Sequence, residues 1–151
     1  MTYIHYGHSK FDKSHFKQIR NHPLFTKPFG GLWGGIKDSW KSWCIQNNFE
    51  TDLTKNFKFK VNGKIMRIHD KADMIKLKPY IDVPSDSKLH YIQGLLANSG
   101  WISPNYEKMK QDYDAIEVLA GSNYDLYMAL YGWDVDSICV LNPECIEEVN
   151  D

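Results

Sequence analysis

The sequence predicts an α+β domain whose strands pair mainly antiparallel. Three observations carry this: a strand-forming start over Thr2 to Tyr6, an alternating run on both sides of Asn62-Gly63, and short apolar strands late in the chain. Helical stretches fall between them without a regular βαβ alternation. At 151 residues the chain suits one domain over residues 1–151, large enough to bury a core without disulfides or structural metal.

Thr2 to Tyr6 is rich in β-formers, and Gly7 with Ser9 ends or bends it, which puts His5 on or just before the bend. Ser14 is placed to cap a short helix over His15 to Asn21. His22-Pro23 stops it, because the residue before a proline avoids helical geometry. Lys27 to Gly35 sets four glycines and a proline around Phe29 and Trp33, predicting a turn-rich loop whose backbone closely approaches a ligand or another segment. Ser39 to Asn47 predicts a helix capped by Asp38 or Ser39, with Trp40, Trp43 and Cys44 on one core-facing stripe.

Phe57 to Val61 alternates apolar and basic residues, Asn62-Gly63 is a tight-turn signal, and Lys64 to Ile68 resumes strand character, so a β-hairpin is expected. Its basic residues, Lys55, Lys58, Lys60, Lys64 and Arg67, suit a solvated face. Ala72 to Asn105 offers short helices separated by Pro79, Pro84, Gly100 and Pro104. Ala115 to Leu119 predicts a strand, Tyr124 to Tyr131 a helix stopped by Gly132, and Ser137 to Leu141 a final strand before Asn142-Pro143.

Composition bounds the function. An apolar share of 42%, a charged share of 25% and a net charge of -1 are ordinary for a soluble globular protein and demand no nucleic-acid partner. No apolar run reaches membrane-spanning length and the first residues lack a secretory signal, which predicts a cytoplasmic protein without a membrane partner. Cys44, Cys139 and Cys145 form an odd set without a CxxC pair, so buried thiols are expected rather than disulfides or a zinc site. Asp134 and Asp136 lack clustered oxygen donors and suit a turn or cap; no metal is expected.

The residues with chemical potential fall in three segments: His5-Tyr6-Gly7-His8-Ser9, Gly31-Leu32-Trp33 with the following Asp38-to-Cys44 helix, and Asp112 to Glu117. In that order they resemble the diphtheria-toxin-like branch of the ADP-ribosyltransferases, whose motif is a strand histidine, a Gly-x-Tyr segment before a helix, and a late strand glutamate. The second segment, with Ser39-Trp40-Lys41-Ser42-Trp43, is similar to the family's Gly-x-Tyr strand and Ser-x-Ser-aromatic helix start. Trp33 stands where the family has tyrosine, and an extra Tyr6 separates His5 from Gly7.

The resemblance implies a split-sheet core that binds NAD as a substrate. His5, or its rival His8, would bind a ribose hydroxyl of the adenosine half, and the Gly7 backbone the nicotinamide amide. Gly31, Leu32 and Ser42 would shape the cofactor site, with Trp33 stacked on the nicotinamide and Trp43 or Tyr6 as the opposite wall. Glu117, with Asp114 and Asp112 in reserve, would stabilise the cationic ribose as nicotinamide leaves. Each residue also has a structural role open to it: His5 as a strand-end histidine, the tryptophans as core, the glycines as turn formers, Glu117 as a solvated strand residue.

Three functional classes follow. One is ADP-ribosyl transfer with nicotinamide release to a protein, nucleic-acid or small-molecule acceptor. A second is a non-catalytic module binding NAD or an ADP-ribose ligand. A third is an inhibitor or interaction protein, of the kind a phage encodes, whose aromatic surface binds a partner.

Overall fold

A computed structural model describes residues 1–22, 26–81 and 103–150, and one eight-stranded sheet organises them. The strands are β1 (Tyr3–Tyr6), β2 (Lys17–Arg20), β3 (Phe29–Ile36), β4 (Asn56–Val61), β5 (Ile65–Ile68), β6 (Ala115–Leu119), β7 (Asp136–Val140) and β8 (Ile146–Val149). The α-helices are α1 (Ser39–Gln46), α2 (Tyr106–Met109) and α3 (Tyr124–Ala129), with 3₁₀ segments at Lys13–His15, Lys71–Tyr80 and Pro143–Cys145. The sheet runs β5-β6-β7-β3-β1-β4-β8, with β2 paired to β3. β5 and β6 pair in parallel and the other pairings are antiparallel, so the α+β, antiparallel-rich architecture stands.

The sheet is curled, and the chain itself requires this. Five strand spacings separate β5 from β4, about 24 Å across a flat sheet. Yet Val61 and Ile65 are joined by a connection that spans at most about 14 Å. Asn62-Gly63 therefore makes no hairpin: β4 pairs with β1 and β8, while β5 pairs with β6. Asp114 explains the difference, since its carboxylate accepts from the Lys64 amide at 2.8 Å and from Asn142 Nδ2 at 3.0 Å. The Asn62 amide donates to the Cys145 carbonyl at 2.7 Å. These contacts steer the chain across the sheet's open side instead of back along β4.

The sheet buries both faces. Register pairs Trp33 with Cys139 and Cys139 with Ile116, so these three share a face with Ile19, Met66, Ile68, Val118 and Trp133. The other face gathers Tyr3, Leu32, Phe57, Phe59, Ala115, Ile138 and Val140. β4 shows the expected alternation, Phe57 and Phe59 buried with Lys58 and Lys60 exposed. The basic residues 55, 58, 60, 64 and 67 are all exposed.

Four local expectations are corrected. The glycine-rich stretch is no loop but the eight-residue β3, in mid-sheet between β7 and β1. Its glycines admit neighbours: a Cβ on Gly34 would meet the Phe59 ring at 2.6 Å, and Gly31 has a φ of +73°. The predicted helix over His15 to Asn21 is a 3₁₀ turn capped by Asp12, followed by β2, whose Ile19 is buried against β3's face. The chain adds a last strand, β8, whose Glu147 lies opposite Lys60. In α1 only Cys44 is buried; Trp40 and Trp43 stack on each other at 5.1 Å, and the exposed Phe49 meets Trp40 edge-on and Trp43 at a tilt. The short helices expected between 82 and 102 lie outside the described residues.

Candidate functional site

A cavity of about 310 Å³ opens at the end of β1 and β3, between α1 and the Gly132-to-Ser137 segment. Its aromatic walls follow from the sheet. Trp33 projects from β3 onto Trp133, their ring centroids 4.7 Å apart and inclined at 56°. Trp133 is 1% exposed and donates from Nε1 to the Tyr106 hydroxyl at 3.3 Å; Tyr106 in turn donates to the Thr26 carbonyl. Trp33 Nε1 donates to the Gly30 carbonyl at 3.2 Å. Both indoles are thus fixed with their polar atoms turned into the protein; Trp33 keeps apolar ring surface for the cavity, and the buried Trp133 backs it.

Trp40 supplies a second aromatic wall because α1 is tied to β7: the Ser39 hydroxyl donates to the Asp136 carbonyl at 2.8 Å. Gly35 makes the approach possible, since a Cβ there would meet Ser39 Oγ at 3.0 Å and Trp40 Cβ at 3.3 Å. Tyr6 and His5 complete the β1 side.

The polar side chains of the lining are His5, Tyr6, Lys27, Thr51, Asp134 and Ser137, with Asp134 the one carboxylate. Asp134 lines the cavity, and burial holds its carboxyl above the usual aspartate value, with Lys27 pulling the other way. Among the described residues its carboxylate accepts no hydrogen bond. Lys27, also in the lining, has its side chain against Gly132.

His5 Nδ1 lies 2.8 Å from the Trp33 carbonyl and so carries the proton there. Its Nε2 then accepts from His8 Nδ1 at 3.0 Å. Burial, first among the causes, lowers the His5 pKa, and the neighbouring His8 and His15 add to this against the opposing Trp33 bond. Both ring nitrogens of His5 are engaged, which makes it a support for Trp33's backbone. His8, stacked between His5 and His15, is not in the lining.

Of the residues singled out from sequence, the cavity brings together His5, Tyr6 and Trp33. It does not bring in the others. Gly7 has a φ of +118° and gives its amide to the Lys55 carbonyl at 2.8 Å. Gly31 and Leu32 lie further along β3, with Leu32 in the opposite core; Ser42 is exposed, and Trp43 stands behind Trp40. Glu117 is 1% exposed and projects from the sheet's other face, where it meets Tyr3 and His69. Strict alternation explains this: Ile116 pairs with Cys139 on Trp33's face, so Glu117 faces away. Asp114 clamps the crossing after β4, and Asp112 accepts from the Tyr80 hydroxyl at 2.7 Å.

Trp133 and Asp134 escaped sequence reasoning as site residues. The available signal was their place immediately before a strand that pairs with Trp33's own. Among the described residues, no group of three or more His, Cys, Asp or Glu side chains is placed to hold a metal ion, and no helix is long and apolar enough to cross a membrane. The chain matches no protein-family model, no curated protein and no solved structure.

Proposed function

We propose that this chain binds NAD with the nicotinamide end in the Trp33–Trp133 cavity and transfers the ADP-ribosyl group to an acceptor, releasing nicotinamide. One observation carries the reading: a small cavity walled by Trp33 and Trp40, with Trp133 buried behind Trp33, holds a single carboxylate, Asp134, that accepts no hydrogen bond among the described residues. Its size is near the lower limit of ordinary ligand sites, about 300–1,000 Å³, and suits one end of a dinucleotide. The Trp33 element of the family resemblance, which implies stacking on the nicotinamide, supports the same end of the molecule.

In this reading Asp134 takes the role first expected of Glu117. The bond between ribose and nicotinamide breaks with its electron pair passing to the nicotinamide nitrogen, which leaves neutral. Positive charge develops on the ribose carbon, and a fixed carboxylate stabilises it without the reorganisation water needs. The acceptor's oxygen or nitrogen then bonds to that carbon and gives up its proton. A carboxyl whose pKa burial raises is suited to receive it. Lys27 at the same wall suits the diphosphate.

A second reading rests on a specific observation: the cavity offers one carboxylate, and Trp33 in the tyrosine's place brings no hydroxyl at that position. That favours a module that binds NAD or an ADP-ribose ligand without turnover. Calorimetry with NAD, followed by assay of released nicotinamide, separates the two. Binding with release that Asp134→Asn abolishes supports transfer; binding without release supports the module; no binding overturns both.

A further inference from the structure

On the sheet face opposite the cavity, one buried carboxylate organises the end of β5. Glu117 is the one buried charged residue among those described. Burying a carboxylate is costly unless it is paired and hydrogen-bonded, and Glu117 has both kinds of partner. The Tyr3 hydroxyl donates to Oε2, His69 Nε2 lies 2.5 Å from Oε1, and Arg67 Nε lies 3.9 Å from the same oxygen. The parallel register of β5 and β6 sets Arg67 directly beside Glu117.

The backbone around His69 is fixed as well. Its amide donates to Asp73 Oδ2 at 2.8 Å, and Lys76 Nζ bridges Asp73 Oδ1 at 2.9 Å and the Arg67 carbonyl at 3.0 Å. The imidazole is therefore held with Nε2 towards the buried carboxylate and Nδ1 on the far side of the ring. Among the described residues, neither Nδ1 nor the terminal nitrogens of Arg67 have a hydrogen-bond partner. His69 is 40% and Arg67 51% exposed.

A buried carboxylate that fixes an imidazole beside a guanidinium is more than packing needs. Ala115 and Val118, also on β6, are buried with no polar group at all. The Arg67 guanidinium is a fixed cation, and it lies beside the imidazole at the same carboxylate oxygen, with both side chains part-exposed to solvent. A guanidinium fork matches two oxygens of a tetrahedral oxyanion, and a ring nitrogen beside it reaches a third. We infer that Arg67 and His69, positioned by Glu117, form a phosphate-binding site separate from the aromatic cavity. The ligand is a phosphate group, free or as the monoester end of a larger molecule.

The test is a titration of the full chain with inorganic phosphate and, separately, with phenyl phosphate, following the His69 ring nitrogens and the Arg67 side chain by NMR. Saturable shifts of both groups are expected. Arg67→Ala and His69→Asn, both at exposed positions, are each expected to weaken binding about tenfold. Tighter binding of phenyl phosphate points to a monoester ligand; equal or tighter binding of inorganic phosphate points to the free ion. Glu117→Gln keeps a side chain of the same shape and is expected to weaken binding by loosening His69. Non-saturable shifts, or unchanged binding in both Arg67→Ala and His69→Asn, overturn the inference. The NAD reading is untouched by either result, since Asp134 and the tryptophans lie on the other face.

Discussion

Asp134 and Glu117 are both carboxylates on or beside neighbouring strands, and they occupy opposite chemical situations. Glu117 is buried with each carboxylate oxygen held by a protein partner: Tyr3 on Oε2, His69 on Oε1 and, at ion-pair distance from Oε1, Arg67. Asp134 is half-buried at an aromatic cavity and accepts no hydrogen bond among the described residues. A saturated carboxylate can orient its neighbours but has nothing left for a ligand. An unsaturated one in an apolar wall is available to a developing positive charge. The difference teaches that partner count, more than burial or strand position, separates the architectural carboxylate from the reactive one.

The sharpest way to break this comparison is to remove each carboxylate in turn. Glu117→Ala leaves the buried Tyr3 hydroxyl without its acceptor and a cavity where the side chain was, and is expected to cost about 2–5 kcal/mol of stability in urea unfolding. Asp134→Asn removes a carboxylate that its site holds back from ionising, so stability should stay within about 0.5 kcal/mol of the parent or rise. Nicotinamide release should nevertheless fall by about 10²–10³. If Asp134→Asn unfolds as readily as Glu117→Ala, the distinction is wrong.

A smaller change sharpens the Glu117 side. Tyr3→Phe keeps the buried ring against Phe59, 5.6 Å away, but deletes the hydroxyl that burial and Glu117 together hold protonated. Leaving one carboxylate oxygen without its donor is expected to cost about 1–3 kcal/mol. NAD binding, on the other face, should not change. A loss of NAD affinity in Tyr3→Phe would falsify the independence of the two faces.

The same contrast marks what the sequence made legible. Local periodicity located β1, α1, β4, β6 and β7 well, because each carries its own apolar pattern. It missed β3, where glycines read as a loop; their reason is tertiary, since Gly34 accommodates the ring of Phe59 from β4, a strand β3 does not pair with. It misassigned Asn62-Gly63 because nothing local announces that Asp114, far along the chain, takes the Lys64 amide. Within the site, His5, Tyr6 and Trp33 were legible from short segments near the N-terminus. Trp133 and Asp134 were not, because only the pairing of Trp33 with Cys139 brings their segment to the cavity.

The smallest expected effect concerns pH, and it again sets two groups with opposite signs against each other. His5 has a pKa below its ordinary 6.5, chiefly through burial. Its neutral form is favoured in the fold, so its contribution is fully present above 6.5 and is lost as pH falls from 6.5 towards the lower folded value. Asp134 is shifted upward from 3.8, so its ionised form is disfavoured in the fold, and that penalty is relieved as pH falls through the raised value towards 3.8. The second shift therefore offsets part of the first on the acid side. Thermal midpoints measured between about pH 7.5 and 4 should decline in the parent chain and decline more steeply in Asp134→Asn, where the offset is gone. In His5→Gln the decline that begins near 6.5 should flatten. A parent and an Asp134→Asn profile that run parallel throughout would show that Asp134 does not sit in the desolvated wall that its proposed chemistry needs.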